Sequence, residues 1–273
     1  MTAIVVPVFN AVAETRRCLS ALADNLRDPA ANVIVIDDAS TAPDITALLD
    51  ELPADWVRVS NDTNLGFVGT ANLGLALAGR EDVILLNSDT QVTSGWLSAL
   101  LDCAASDERI ASITPLTNHG EIASIPTFCQ PNPWPEAPER WARAARESGP
   151  AQYPELPTAV GFCMYLRRAA IDEVGGFDEL AFGRGYGEEN DWCCRATQAG
   201  WRHVLCDHAF VAHEGGASFG PLGLKPGGQA IETLLARHPD YLERVMAFIE
   251  SDPFAERRRQ IVDCYQSLSP EPA

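Results

Sequence analysis

The chain has 273 residues, which at roughly 150 residues per domain allows one large domain or about two small ones. Its 20 Lys and Arg stand against 38 Asp and Glu, a net charge of −18. Such a surface repels phosphate backbones and anionic lipid headgroups, so nucleic-acid binding and a polybasic membrane anchor are disfavoured. With 46% hydrophobic and 21% charged residues, the composition is that of a globular protein rather than a disordered chain.

No stretch approaches the ~20 apolar residues that a bilayer-spanning helix needs. The opening MTAIVVPVFN has neither a charged leader region nor a long apolar one, so the expected compartment is the cytoplasm. The eight cysteines include no C-x-x-C pair and fall within apolar patterns, which reads as buried reduced thiols rather than disulfides or zinc ligands.

In chain order, short β-branched apolar runs fill 3–8, 33–36, 56–59 and 83–86. Segments of helical period lie between and after them, at 11–26, 43–52, 66–78 and 93–105. Apolar strands alternating with helices predict an α/β fold, with a mostly parallel sheet covered on both faces. A further strand fits 110–114. The stretch 115–157 breaks the pattern with Pro, Asn, Trp and Glu, and carries one helix near 136–147. Beyond it, a strand is expected at 159–166, a helix at 168–174, a helix at 188–198 and two strands at 201–205 and 209–213. The remainder, with helical period at 231–235, 241–249 and 254–264, reads as a helical C-terminal extension from about 226.

Ligands of open parallel sheets bind at the carboxyl ends of the strands. There the first strand carries Pro7-Val8-Phe9-Asn10, not G-x-G-x-x-G, and no G-x-x-x-x-G-K-[ST] occurs anywhere. Dinucleotide binding and a Walker-type NTPase are thereby set aside. The second strand ends in Asp37-Asp38-Ala39-Ser40, where a carboxylate either binds a ribose or base or caps a helix. The fourth ends in Asn87-Ser88-Asp89, where an acid either holds a divalent cation carrying a diphosphate or caps a turn.

Glu188, Glu189 and Asp191 cluster at a predicted helix N-terminus, where the macrodipole favours negative charge. Asp191 and Arg195 are spaced i,i+4, which gives Asp191 a structural partner and leaves Glu188 and Glu189 as the better candidates for chemistry. His203, His208 and His213 recur every five residues in strand-like sequence, not a chelate spacing. His213 stands apart because the glycine-rich Glu214–Ser218 segment follows it, a loop able to close over a ligand.

In their order and spacing, VVPVFN, VIVIDDAS, NLGFVGTANLGL, ILLNSDT, GFCMYLRR, VGGFDE, GEENDWCCR and VAHEGGASFG resemble the inverting glycosyltransferases of family 2. The resemblance runs from about residue 4 to 219. It is nearest to bacterial enzymes that build O-antigen and capsule, rhamnosyltransferases among them. It implies a GT-A fold over about 1–225, with a nucleotide-binding half to about 114 and an acceptor-side half beyond. It also implies a UDP-, dTDP- or GDP-linked sugar donor and a glycan or lipid-linked glycan acceptor.

Residue by residue, the resemblance assigns Pro7, Asn10 and Asp38 or Asp37 to the base and ribose. Asn64, Gly66 and Asn72 fall in the segment lining the donor site. Asn87-Ser88-Asp89 stands at the D-x-D position, so Asp89 would carry most of the contact to Mg²⁺ or Mn²⁺, with His213 a further metal or diphosphate contact. Glu189 stands where the family has the Asp that serves as catalytic base, with Glu188 as the alternative. A catalytically silent module is the competing reading, supported by Asn87 and Glu189 as departures from the family pattern. Trp134 and Trp141 are expected on the acceptor side. The basic run Arg257-Arg258-Arg259 is expected on a solvated helix face, in a region that docks on a neighbouring domain or subunit rather than forming the sugar site.

Overall fold

The computed structural model describes residues 1–26, 31–183, 185–215 and 228–269. Its centre is an eight-stranded sheet in the order β3-β2-β1-β4-β7-β6-β8-β5. The strands are β1 (Thr2–Val8), β2 (Ala31–Asp37), β3 (Val57–Ser60), β4 (Asp82–Leu86), β5 (Thr90–Val92), β6 (Ile110–Leu116), β7 (Cys163–Leu166) and β8 (Arg202–His213). β1 to β4 pair in parallel, as do β6 and β8, whereas β7 and β5 run antiparallel to their neighbours. The sheet is therefore mixed and mostly parallel, as its apolar strands foretell.

Alternation along β1 divides the interior into two layers. Ile4, Val6 and Val8 pack with α1 (Val12–Asn25), α2 (Pro43–Asp50) and α4 (Trp96–Ser106). Ala3 and Val5 face α3 (Gly66–Leu77), α6 (Arg168–Val174) and α8 (Glu188–Gln198) on the other side. At Gly74 the α3 backbone comes so close to the sheet that a Cβ would lie 2.3 Å from Val5 Cγ1. Gly74→Val is expected to cost roughly 1–3 kcal/mol through overpacking, read as a lower urea midpoint.

β8 is one strand where two are expected. The break between them is a register shift: Pro115 pairs with Cys206 but Leu116 with Phe210. The irregularity leaves the Asp207 carboxylate to accept the backbone N–H groups of Gln152 (3.0 Å) and Tyr153 (3.1 Å). β7 is shorter than expected because residues 159–162 form a loop that reaches the site described below. β5 has no sequence signal beyond three residues, yet its pairing of Thr90 with His213 brings two distant loops together.

The helices α5 (Pro138–Glu147) and α11 (Ala255–Ser267) form a third apolar cluster with β8. Trp141 belongs to this cluster, stacked on Tyr265 with ring centroids 3.8 Å apart, so it does not face a ligand. Trp134 lies under the Arg17 guanidinium, whose central carbon is 3.9 Å from the indole centroid, and does not line the cavity described below. Arg257 is buried rather than solvated, donating to Asp207 Oδ2 (2.6 Å), Ser148 Oγ (2.9 Å) and the Ala145 carbonyl (2.9 Å). Arg258 pairs with Asp252, and Arg259 alone of the three is on an exposed face. All eight cysteines are unpaired, and all but Cys129 and Cys264 are buried.

Candidate active site

The carboxyl ends of β1, β2 and β4 open onto a cavity of about 610 Å³, a size suited to a cofactor or nucleotide-scale ligand. Its floor includes Pro7, Asp38, Asn64, Gly66 and Asn87–Asp89. Asp38 is both cap and wall. Its carboxylate accepts the N–H groups of Leu65 (2.7 Å) and Gly66 (2.9 Å) at the start of α3, yet it borders the cavity. The Asn64 amide donates to the Asp38 carbonyl (3.0 Å), which leaves its buried Oδ1 without a partner.

Opposite this floor, Gly187 has φ +92 and starts α8, so the chain enters the helix with Glu188 and Glu189 turned into the cavity. The Oε2 atoms of both glutamates are buried without a hydrogen-bond partner. Burial, with the charge of Glu189 beside it, holds the Glu188 carboxyl well above the usual carboxylate range. Burial raises Glu189 to about 7, against the lowering effect of backbone N–H groups at the α8 start and with help from the negative charge of Glu121.

Asp89 and His213 meet because β5 pairs with β8: His213 Nε2 lies 3.5 Å from Asp89 Oδ1. His213 Nδ1 donates to the His119 carbonyl (2.6 Å), which turns Nε2 toward Asp89; against the lowering effect of burial, the Asp89 carboxylate holds the imidazole above its ordinary value. Asn87 Oδ1, also buried at the cavity, has no partner. Among the described residues no group of three or more His, Cys, Asp and Glu forms a complete metal cage. The donor set nonetheless fits Mg²⁺ or Mn²⁺, which take one or two protein ligands and fill the remaining positions with phosphate oxygens and water.

Four expected site residues are not in this cavity. Asn10 Oδ1 accepts the N–H groups of Thr41 (2.9 Å) and Ala42 (2.9 Å), and Asp37 accepts from Ser40 (3.0 Å), so both fix the loop before α2. Asn72 is bonded to Phe177 through both its amide atoms (2.9 Å each). Asp191, only 1% exposed, is bonded to Arg195 (2.8 Å) and His238 (3.0 Å). The pair with Arg195 is therefore buried and structural rather than a modest surface contact.

Sequence reasoning also missed several lining residues. His119 and Glu121 come from the irregular 115–157 stretch, where no periodicity points inward. Ile231 and Leu234 of α9 (Gln229–Arg237) and Tyr241, Leu242 and Val245 of α10 (Tyr241–Ser251) form an apolar wall. The C-terminal helices thus help build the cavity, against the expectation that they stand apart from it. Of the glycine-rich segment after His213, residues 216–218 lie outside the described residues.

The sequence profile described as Glycosyl transferase family 2 matches residues 3–175, more than half of the chain. The chain belongs to glycosyl transferase family 2. It is 29% identical over 216 residues to an uncharacterised protein of Mycobacterium tuberculosis, covering 78% of this chain and 73% of that one. It is also 29% identical to the N-acetylglucosaminyl-diphospho-decaprenol L-rhamnosyltransferase of M. tuberculosis, covering 69% and 68% of the two chains. The fold of this glycosyltransferase is shared with the crystal structure of GalNAc-T7 with UDP, GalNAc and Mn2+, at a TM-score of 0.65 and 16% identity over 97% of this chain. The chain spans about half, 54%, of that structure. The glycosyltransferase has the GT-A architecture, and among its described residues no helix is long and apolar enough to cross a membrane.

Proposed function

We propose that this glycosyltransferase transfers a sugar, with inversion, from a nucleotide-diphosphate donor to a hydroxyl of a glycan or lipid-linked glycan. The setting is bacterial surface polysaccharide synthesis at the cytoplasmic side. The observation that carries this reading is the convergence of unpartnered buried oxygens from two sides of one cavity. Asn64 and Asn87 sit at the strand ends, and Glu188 and Glu189 at the α8 N-terminus. Buried polar atoms without partners are costly unless a ligand satisfies them. The rhamnosyl transfer and decaprenol-linked substrate named for the M. tuberculosis relative support the choice of acceptor class.

In this reading the nucleoside rests on the Pro7 and Asp38 side, and Asn64 and Asn87 bond the donor's polar groups. Asp89 and His213 would hold Mg²⁺ or Mn²⁺, which supplies positive charge to the departing diphosphate. Glu189 takes the proton of the acceptor hydroxyl as it attacks the anomeric carbon from the face opposite the leaving group. Burial pushes both carboxyls up, Glu188 well above the ordinary carboxylate range and Glu189 to about 7, so Glu189 is the one poised to exchange a proton near neutral pH. Glu188, held further toward its protonated form, is the better hydrogen-bond donor, and the unshared lone pair needed for proton abstraction is assigned to Glu189. The apolar α9–α10 wall keeps water from competing with the acceptor.

Asp89→Ala is expected to abolish turnover with Mg²⁺ or Mn²⁺ and to leave the far-UV CD spectrum unchanged. His213→Ala acts in the same direction but less severely. Calorimetric titration of UDP, dTDP and GDP with and without Mn²⁺ tests the donor assignment. One diphosphate should bind, more tightly with the cation, and EDTA should weaken it; equal binding in EDTA would contradict the metal assignment.

A further inference from the structure

Asp191 and His238 are buried, hydrogen-bonded and outside the cavity, so neither touches a reacting group. Their positions are nevertheless specific. Asp191 is on the same first turn of α8 as Glu188 and Glu189. His238 is the corner between α9 and α10: its N–H closes α9 on the Leu234 carbonyl (2.8 Å), and its carbonyl accepts the Tyr241 N–H (3.0 Å). Leu234 and Tyr241, on the two sides of this corner, both line the cavity with the glutamates. His238 Nε2 is 3.0 Å from Asp191 Oδ1, and Arg195 holds the other Asp191 oxygen at 2.8 Å. Arg237 spans Asp191 (3.3 Å) and Asp178 (2.9 Å), extending the clamp to the N-cap of the short helix α7 (Glu179–Phe182).

The corner needs such a clamp because its apolar anchoring is thin. Leu234 is the one buried residue of α9, and Tyr241 the one of α10, among their described side chains. Resting on the reading of Glu189 as the base, we propose that His238 is a positioning residue. Its bond to Asp191 pins the α9–α10 corner over the glutamate pair and keeps water out of that end of the cavity.

Breaking the bond lets Leu234 and Tyr241 withdraw, hydrates the pair and stabilises its ionised form. The other ionisable groups around Glu189 are Glu188 and Cys193 on α8, Tyr186 in the turn before it, Glu121 from the loop after β6 and Tyr241 on α10. All of them are unchanged in the variants below, so a shift in Glu189 reports the wall rather than a lost neighbour.

The test is a ¹³C NMR titration of the full chain labelled at the glutamate side-chain carboxyls, the Glu189 resonance being assigned by its loss in Glu189→Gln. The wild type is expected to titrate near 7 at Glu189. His238→Ala should lower that midpoint by about one unit or more toward the ordinary carboxylate range. His238→Gln, whose amide N–H reaches the Nε2 position, should restore it. His238→Asn, which fills space but falls short of Asp191, should behave as His238→Ala and decides the matter if the alanine variant does not fold. An unchanged midpoint in His238→Asn, or an equal fall in His238→Gln, overturns the clamp and leaves the base assignment standing. A wild-type midpoint in the ordinary range likewise overturns the clamp, whereas undiminished transfer in Glu189→Gln overturns the base assignment on which it rests.

Discussion

Glu189→Gln is expected to bind the nucleotide sugar as the wild type does and to lose transfer by about 10²–10⁴-fold, the usual contribution of a general base. The amide keeps the shape of the side chain but cannot take the hydroxyl proton. Calorimetry for donor affinity and a transfer rate on the same preparation separate the two effects. Glu188→Gln should cost less, because burial and the charge of Glu189 already favour the protonated form of Glu188, and an amide donates much as a protonated carboxyl does. Equal transfer by Glu189→Gln and wild type would mean that another group takes the hydroxyl proton; no transfer by either would favour a catalytically silent module.

The same environment fixes the pH dependence. Glu189 must be ionised to act, so transfer should rise as pH passes through about 7 and level off above it. Stability runs the opposite way. The folded-state values of both glutamates are raised, so the stability they contribute is fully present below their unfolded values. It is lost as pH climbs through about 7 for Glu189. A thermal melt of the unliganded protein should therefore fall between about pH 5 and 8, and fall less in Glu189→Gln.

Arg257→Ala is expected to destabilise the fold by about 3–5 kcal/mol, because it leaves the fully buried Asp207 carboxylate without its cation. The Ala145 carbonyl and the Ser148 hydroxyl lose their donor in the same step. Arg259→Ala, two residues on, removes an exposed pair with Glu256 and should change stability by less than about 0.5 kcal/mol. Urea unfolding of both variants gives the comparison. Equal midpoints would mean that α11 is not held by this ion pair.

The contrast between these arginines illustrates what the sequence carries. Three consecutive arginines look alike as a string, and only the bulge in β8 decides that Arg257 turns inward to Asp207. The strands β1, β2 and β4 were legible because buried parallel strands are continuous apolar runs bounded by turn residues. β5 was not, since three residues that pair across the sheet leave no periodicity to detect.

The cavity shows the same division. Asp38, Asn87, Asp89, Glu188 and Glu189 lie where strand ends and a helix N-terminus put them, and position in the pattern was enough to single them out. Asn10, Asp37, Asn72 and Asp191 are of the same residue types near the same ends, but their oxygens are consumed by nearby backbone, or for Asp191 by Arg195, Arg237 and His238. Sequence position does not distinguish a polar group facing a ligand from one satisfying its own loop. The α9–α10 wall was illegible for another reason. An apolar helix face says only that something covers it, and here that face completes the cavity.

The most direct measurement of the central claim is ³¹P and ¹H NMR of the purified chain incubated with UDP-, dTDP- and GDP-sugars, Mg²⁺ or Mn²⁺, and water as the fallback acceptor. One donor class should be converted to its nucleoside diphosphate, with the released sugar first appearing as the inverted anomer, and Glu189→Gln should be inert under the same conditions. Release of sugar with its donor configuration, or no breakdown of any of the three classes, would contradict the account.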